Sequence, residues 1–302
     1  MPETTKHCKA CGGTGKSSAG GTCYPCGGVR TRAVKVRHKV LHGDCRKLIP
    51  IAAKKVGGFH FAFADPPFNI GQDYTGYDDR QSWEDFQQFT FEWIKAVWDS
   101  LRPGGLMCLH GPDNMAIMYI QEGLCQGYGT HRLAWVNWHY RFGQHRDTSW
   151  IDARCHCLVY AKPGFKHTWN PDAVAVASDR AGNGDKRTDT TKRPGKRNPG
   201  TVWGIPSDGP NWGRVVGDNT ERQPECPNQL PEVYLERLIR AYTNPGDFVL
   251  DPFGGSGTTA TVAVALERSA VTMDVSETNV ELIKRRIKKG PVRFKRTTGA
   301  TP

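Results

Sequence analysis

The stretch that most constrains this chain is an apolar run, residues 59–64, that stops at Asp65-Pro66-Pro67-Phe68. The run is short and rich in aromatic residues, which is typical of a buried strand. Two consecutive prolines cannot donate to a sheet ladder, so they end the strand and fix a stiff turn. Because open α/β sheets bind ligands at the carboxyl ends of their strands, the turn would present a carboxylate, a carbonyl and a ring to a ligand.

These four residues allow two interpretations. Asp-Pro pairs are common in ordinary turns that merely end a strand. In the functional alternative, Asp65 and the Pro66 carbonyl accept the hydrogens of an exocyclic amine, while Phe68 stacks on the ring that carries it. The pattern alone does not separate the two interpretations, because a short motif carries a real risk of false matches.

A glycine-rich turn about 185 residues later predicts a second binding element. Glycines let the backbone approach a ligand closely, and the following helix start offers free N–H groups. The next predicted strand, 270–274, ends at Asp274, where an acid can bind ribose hydroxyls. The chain has neither GxGxxG nor GxxxxGK[ST] at this turn. The turn residues that we predict to bind the adenosine-containing cofactor are Asp251, Pro252, Phe253, Gly255, Ser256, Gly257, Thr258 and Thr259.

Together the two motifs resemble those of the DNA amino-methyltransferases, which transfer a methyl group from S-adenosylmethionine to a base amine. That family carries (D/N/S)PP(Y/F/W) and DPFxGSGTT, and this chain has DPPF and DPFGGSGTT. The catalytic motif comes first, as in the circularly permuted beta group. The resemblance covers about residues 40–287. It implies an α/β, Rossmann-like, S-adenosylmethionine-dependent methyltransferase fold, with a mostly parallel seven-stranded sheet and helices on both faces.

The resemblance also implies roles for individual residues. Residues 65–68 would be catalytic, acting on a base flipped out of the duplex. Residues 251–259 would hold the methionine part of S-adenosylmethionine, and Asp274 would hold its ribose. Asp44 matches a position beside the cofactor adenine, although the role of a helix N-cap fits this residue nearly as well.

The segment before the predicted helix 232–242 departs from the family pattern. Relatives usually have a sequence similar to HPTQKP there, and this chain has Cys226 and Leu230 in place of the His and Lys. The departure leaves the contacts of this segment open. Asn228 and Gln229 still supply polar groups, and we predict that both contribute to the cofactor site.

The resemblance favours adenine N6 in double-stranded DNA as the target, because related cytosine-N4 enzymes mostly have serine in place of Asp65. Cytosine N4 is the alternative. An RNA or protein-amine methyltransferase and a non-catalytic DNA-binding protein are further readings. With no nuclease motif in the chain, we expect a restriction-modification type of modification enzyme that stands alone. We expect it in the cytoplasm of a bacterium or of a phage-infected host cell. The resemblance also allows a homodimer.

Two CxxC pairs, separated by eleven residues, lie within the first thirty residues. Such pairs can meet as a tetrahedral thiolate zinc site, and a redox or disulfide role is the alternative. The segment resembles one zinc-binding unit of the DnaJ-type chaperones, whose repeat is CxxCxGxG. We predict a structural zinc ribbon that contacts either DNA or protein. Its zinc ligands would be Cys8, Cys11, Cys23 and Cys26.

The charge is concentrated at the two ends of the chain. The net charge is +11, and residues 1–40 and 284–302 together carry +15. Basic ends suit a protein that lies along phosphates, and solvated tails are the alternative. No apolar run approaches the roughly 20 residues of a membrane span, so we expect no membrane partner.

The 302 residues suit one large α/β domain with small additions. Residues 163–224 have a low apolar content and cannot build a core of their own. The family resemblance implies that they are the target-recognition insert, partly disordered without DNA, and a solvated linker is the alternative. The predicted segments are a zinc ribbon at 1–30, a basic linker at 31–39, the catalytic part at 40–162, the insert at 163–224, the cofactor-binding part at 225–290 and a basic tail at 291–302.

Two smaller expectations concern the surroundings of the site. Residues 71–80 are polar and aromatic, which is typical of a mobile loop over a binding site. His156 could form part of the pocket wall, but a strand histidine with its hydrogen bonds satisfied is favoured.

Overall fold

The computed structural model describes residues 35–128, 131–143, 145–189, 193–226 and 228–295. The four cysteines of the predicted zinc ribbon, most of the basic linker and residues 296–302 lie outside this part of the chain. Within the described ranges, no group of three or more His, Cys, Asp or Glu residues could hold a metal ion. None of the helices described is long and apolar enough to cross a membrane.

Strands and helices alternate along most of the described chain. The strands are β1 (His38–His42), β2 (Phe59–Ala64), β3 (Asp73–Tyr74), β4 (Tyr77–Asp78), β5 (Leu101–Gly111), β6 (Arg132–His139), β7 (Arg154–Ala161), β8 (Val176–Ala177), β9 (Lys196–Arg197), β10 (Val202–Trp203), β11 (Phe248–Asp251) and β12 (Ser269–Asp274). The helices are α1 (Cys45–Val56), α2 (Trp83–Ser100), α3 (Asp113–Cys125), α4 (Pro171–Val174), α5 (Asp179–Gly182), α6 (Glu232–Tyr242), α7 (Thr258–Ala265), α8 (Glu277–Lys289) and α9 (Val292–Lys295).

Eight of the described strands form the main sheet, in the order β1-β12-β11-β2-β5-β7-β6-β10. Neighbours from β1 to β5 are parallel, whereas β7 runs antiparallel to both β5 and β6. The predicted mostly parallel α/β sheet is confirmed. The predicted number of seven strands is wrong, because β10, from within the predicted insert, pairs in parallel with β6.

The sheet brings the two sequence motifs together. Strand β11 lies directly beside β2, with Val249 opposite Phe61 and Leu250 opposite Ala62. Parallel neighbours end at the same edge of a sheet, so the turns that follow β2 and β11 become adjacent. The long separation of the two motifs along the chain therefore disappears in the fold.

Helices cover both faces of the sheet, because apolar side chains of β2 point to both faces and must be buried on each. Successive strand side chains point to opposite faces. Phe61 and Phe63 belong to an apolar core that includes residues of α6, α7 and α8. Ala62 and Ala64 belong to a second core that includes residues of α1, α2 and α3. The predicted burial of this strand on both faces is confirmed.

The C-terminal part of the predicted insert packs against the main domain. Trp203 and Trp212 are buried with their ring centroids 5.9 Å apart, and Trp203 also lies 5.6 Å from Tyr234 of α6. Arg237 of α6 lies 4.1 Å from the Trp212 ring and pairs with Asp208 at 2.8 Å. A plain solvated linker would not bury two tryptophans in this way, so this part of the insert is anchored to the main α/β domain.

Candidate active site

A cavity of about 1140 Å³ opens where β2, β11 and β12 end. Ligand pockets in proteins commonly have volumes of about 300–1,000 Å³, so this one has room for more than one small ligand. The predicted site residues that line it are Asp44, Asp65, Pro66, Pro67, Phe68, Asn228, Gln229, Asp251, Pro252, Phe253, Gly255, Ser256, Thr258, Thr259 and Asp274. Gly257 is the predicted site residue that does not line it, and this residue is the N-cap of α7 with φ of 78°.

Asp65 lines this cavity and comes immediately after β2. Among the described residues it has no hydrogen bond or ion pair, so both of its oxygens are available to a ligand. Burial raises the pKa of its carboxyl and the nearby Asp251 carboxylate adds to the shift, so that this pKa lies at about 8. Beside it, Phe68 is partly buried against the apolar core and turns toward the cavity.

Asp251 provides a second buried carboxyl, at the end of β11. Burial raises its pKa to about 7, against the opposing effect of the Thr259 hydroxyl and the Phe253 N–H. The Phe253 N–H donates to this carboxylate at 3.2 Å. Two acids with raised pKa values at one edge of the sheet favour a cationic ligand, because a positive charge would stabilise both carboxylates.

Asp274 fixes the glycine turn to the neighbouring strand. Its carboxylate accepts hydrogen bonds from the backbone N–H groups of Gly255 and Ser276, both at 2.8 Å. The amide of Asn279 donates to the same carboxylate at 3.2 and 3.3 Å. Because Asp274 also lines the cavity, it both shapes the turn and remains the predicted ribose ligand.

Gly254 and Arg286 support the same turn from behind. The sequence analysis placed Gly254 within the turn but gave it no individual role, and it did not identify Arg286. A Cβ atom at Gly254 would lie 2.5 Å from the Thr272 Cγ2 atom, so only glycine fits there. Arg286 donates to the Ser256 carbonyl and to the Thr258 hydroxyl, each at 2.9 Å. The sequence does contain a signal for Arg286: it falls on the apolar face of α8, where a charged residue is rarely found unless it is paired.

Asp44 is the N-cap of α1. Its carboxylate accepts from the backbone N–H of Arg46 at 2.9 Å and pairs with the Arg46 guanidinium at 2.7 Å. The hydrogen bond from that guanidinium is the main reason that the pKa of Asp44 is lowered. The capping role is thus confirmed, and since Asp44 also lines the cavity, a contact with the cofactor remains a prediction.

Residues 71–80 form an ordered antiparallel hairpin of β3 and β4, where the sequence predicted a mobile loop. The buried carboxylate of Asp79 holds the base of this hairpin by accepting from the N–H groups of Asn69, Ile70 and Gln72 at 2.8–3.0 Å. Near its tip, the side chain of Tyr74 forms a hydrogen bond with that of Asn228. The hairpin therefore lines one side of the cavity, and the buried Asp79 carboxylate contributes three of the hydrogen bonds that hold it.

Asp79→Ala is expected to lower the free energy of unfolding by about 2–3 kcal/mol, because it leaves three backbone N–H groups without their acceptor. Urea unfolding measures this loss. The matched control is Asp78→Ala. Asp78 is an exposed neighbour whose carboxylate accepts a hydrogen bond from the Arg80 backbone N–H at 3.0 Å. We expect this substitution to change the free energy of unfolding by about 0.5 kcal/mol. Equal effects of the two changes would contradict the role of Asp79.

The cavity has a second half, which lies where β5 and β6 end and β7 begins, and the sequence analysis did not identify its residues. It includes His110, Trp138, Tyr140 and Arg214. Burial lowers the pKa of His110 to about 3, and its Nδ1 atom lies 3.1 Å from the Tyr234 hydroxyl. The imidazole is therefore neutral near pH 7. This half is rich in aromatic residues, and its two carboxylates, Asp113 and Asp152, are paired with Arg154 and Arg146.

His156 lies outside the cavity lining, as the favoured interpretation predicted. Its Nδ1 atom accepts from the Trp135 indole N–H at 2.9 Å, so its Nε2 atom carries the proton that it shares with Asp113 at 2.6 Å. Both ring nitrogens thus have partners. The pocket-wall interpretation of His156 is wrong, because its side chain turns toward Trp135 and Asp113.

Comparisons with known proteins agree with this geometry. Residues 59–285 match the family model for DNA methylases. The chain is 31% identical over 223 residues to the type II methyltransferase M.HpaI of Haemophilus parainfluenzae, covering 74% of this chain and 66%, just under two thirds, of that protein. It is 31% identical over 262 residues to the DNA adenine methyltransferase YhdJ of Escherichia coli (strain K12), covering 82% of each. The crystal structure of the M1.HpyAVI–SAM complex has the same fold, with a TM-score of 0.59 at 18% identity, over 83% of this chain and 98% of that one.

Proposed function

Because this chain belongs to the DNA methylase family of N6 and N4 amino-methyltransferases, we propose that it methylates the N6 amine of adenine in DNA with S-adenosylmethionine as the donor. One observation carries the proposal: the Asp65-Pro-Pro-Phe68 turn and the DPFGGSGTT turn, which are distant in sequence, line one cavity. Asp65 in place of serine favours adenine by family resemblance. Cytosine N4 is the alternative, since the family includes both activities.

The residues of the cavity fit S-adenosylmethionine, which supplies a methyl group on a positively charged sulfur. Asp251 and Asp274 provide anionic surroundings for the cationic part of the cofactor. The N-terminus of α7 has free N–H groups that suit the carboxylate of its methionine part. We propose that the turn 251–259 holds this end, that Asp274 holds the ribose, and that Asp44, Asn228 and Gln229 complete the site.

In the proposed mechanism, the residues after β2 align the target amine. The base leaves the duplex stack, because its amine cannot be reached inside the helix. Phe68 stacks on the flipped base, while the Asp65 carboxylate and the Pro66 carbonyl accept the two amine hydrogens. These two hydrogen bonds direct the nitrogen lone pair at the methyl group. Most of the rate enhancement then comes from aligning the nitrogen, the methyl group and the sulfur. Asp65 need not be a strong base, since a proton leaves readily once the nitrogen is positive.

This mechanism predicts a pH dependence. A raised pKa means that Asp65 keeps its proton up to about pH 8 in the free protein, and a protonated carboxyl no longer accepts two hydrogen bonds. We therefore expect kcat/KM for S-adenosylmethionine, which reports the groups of the free enzyme, to rise from about pH 6 through a midpoint near pH 8 and to level off about one pH unit above it. Because the Asp251 carboxyl titrates beside Asp65, the midpoint of the pH profile reports the ionisation of the two carboxyls together and not of Asp65 alone. A flat profile across this range would contradict the proposed role of the ionised carboxylate.

The substrate class is tested by offering the protein S-adenosylmethionine labelled in its methyl group, together with duplex DNA, single-stranded DNA, RNA or a mixed protein substrate. We expect the label to enter DNA. Label that enters only RNA or protein would support an amine methyltransferase of another class. Binding to DNA without transfer to any substrate would support a non-catalytic DNA-binding protein.

We also propose the finer features that the family resemblance implies. The adjacency of β11 and β2, despite their distance along the chain, supports a circularly permuted fold. The spacing of Cys8, Cys11, Cys23 and Cys26 supports a structural zinc ribbon. Elemental analysis of the full chain should find one equivalent of zinc, which the double change Cys8→Ser/Cys11→Ser removes. A homodimer remains an expectation from the family alone.

A further inference from the structure

Of the described residues, three arginines line the cavity, and one of them has no carboxylate partner. Arg46 and Arg154 are each paired with a carboxylate, at 2.7 and 2.5 Å. Arg214 forms neither a hydrogen bond nor an ion pair with any residue that the structure describes. Its guanidinium instead lies 5.8 Å from the centroid of the Tyr140 ring. A half-buried guanidinium that is paired with no carboxylate can still bind an anionic ligand.

The position of Arg214 separates it from the proposed cofactor site. Its stacking partner Tyr140 follows β6, and β6 lies on the opposite side of β2 from β11 and β12. The carboxylates that line the cavity on the Arg214 side, Asp113 and Asp152, are neutralised by ion pairs with Arg154 and Arg146. Asp251 and Asp274, in the other half, have no cationic partner among the described residues and would repel a second anion there. Arg214 therefore offers a cationic contact on the side where the proposed mechanism places the target base.

We propose that Arg214 binds a backbone phosphate of the target strand, next to the flipped nucleotide, while Tyr140 supports its guanidinium. This inference rests on the proposed function. Extruding a nucleotide carries its flanking phosphates to the mouth of the pocket. A guanidinium presents a planar fork of donors that matches phosphate oxygens in pairs, and it stacks well on aromatic rings. Arg214 thereby positions the flipped nucleotide without contacting the reacting nitrogen.

The test compares wild-type protein with Arg214→Gln and Arg214→Lys, using unmethylated genomic DNA as substrate at several salt concentrations. We expect Arg214→Gln to raise KM for DNA by about tenfold or more. The slope of log(1/KM) against log[salt] should become shallower by about 0.9, the value for one phosphate contact. Arg214→Lys should keep the slope, because it keeps the charge, but should raise KM, because it loses the paired geometry.

Two controls make each outcome decisive. The first control is calorimetry, which should show that both Arg214 variants bind S-adenosylmethionine as tightly as wild type does. Weakened cofactor binding with an unchanged KM for DNA would assign Arg214 to the cofactor carboxylate and overturn the proposal. Lys95→Gln removes a charge from the exposed face of α2, and we expect it to change neither KM nor the slope. DNA methylation by wild type with unchanged constants for Arg214→Gln would refute this inference alone. Absence of DNA methylation by wild type would refute the proposed function and this inference with it.

Discussion

Asp65→Asn is expected to reduce the rate of methyl transfer to DNA by about 10³-fold, while the affinity for S-adenosylmethionine changes by less than about tenfold. The amide has nearly the same shape as the carboxyl, so the turn and the cavity stay intact. It presents two N–H donors where the amine hydrogens need an acceptor, and it carries no negative charge. Single-turnover rates and calorimetry of cofactor binding separate these two effects.

The same substitution should stabilise the protein without its ligands. A raised pKa shows that the folded state disfavours the ionised Asp65 carboxylate, so an uncharged amide removes this penalty near neutral pH. We expect the free energy of unfolding to rise by about 1–3 kcal/mol at pH 7.5, as at other sites where activity requires a destabilised group. Asp99→Asn, on the exposed part of α2, should change neither property. A stable, fully active Asp65→Asn protein would remove Asp65 from the mechanism.

Arg286→Met should produce the largest loss of stability, about 3–5 kcal/mol, because it leaves the buried Glu232 carboxylate without its cation. The two side chains pair at 3.2 Å and are almost completely buried. Two further contacts, to the Ser256 carbonyl and the Thr258 hydroxyl, disappear at the same time. Since those residues belong to the cofactor turn, we expect the affinity for S-adenosylmethionine to fall as well. Chemical unfolding and calorimetry measure the two effects.

The neighbouring residue provides a matched control for Arg286. Arg285 is exposed and pairs across the surface with Glu225 at 2.7 Å. Exposed ion pairs contribute about 0–1 kcal/mol, so Arg285→Met should change the free energy of unfolding by no more than this amount. Equal losses in the two variants would show that burial of the Arg286–Glu232 pair does not govern its contribution.

The sequence was sufficient to predict most of the residues of the two turns that line the cavity. Asp65 and Asp251 each end an apolar run at a proline, and both patterns mark strand ends without any knowledge of the fold. Parallel pairing of β2 and β11 then brings them together, because ligand sites gather at strand ends in such sheets. Predicting the position of these residues therefore requires only the local sequence and the rule that parallel neighbouring strands end at the same edge of a sheet.

The sequence was not sufficient for residues whose role depends on burial. Asp79 lies in a polar stretch beside Asp78, and only the folded hairpin shows which of the two is enclosed by N–H groups. Arg286 stands in a charged segment and Arg214 in a loop segment with few charges, and in neither case does the local sequence indicate a buried or binding role. Trp203 and Trp212 occur in a segment of low apolar content, yet they complete the core against α6. In each case the tertiary partner, which is distant in sequence, decides the role.

The central claim is that this chain transfers a methyl group to the N6 amine of adenine in DNA. The most direct test incubates unmethylated genomic DNA with wild-type or Asp65→Asn protein and S-adenosylmethionine, then digests the DNA and identifies the nucleosides by mass. The account predicts N6-methyladenine in the wild-type digest and its loss in the variant digest. N4-methylcytosine would preserve the mechanism and contradict the choice of base. Unmodified nucleosides, from a protein that binds S-adenosylmethionine, would contradict the claim itself.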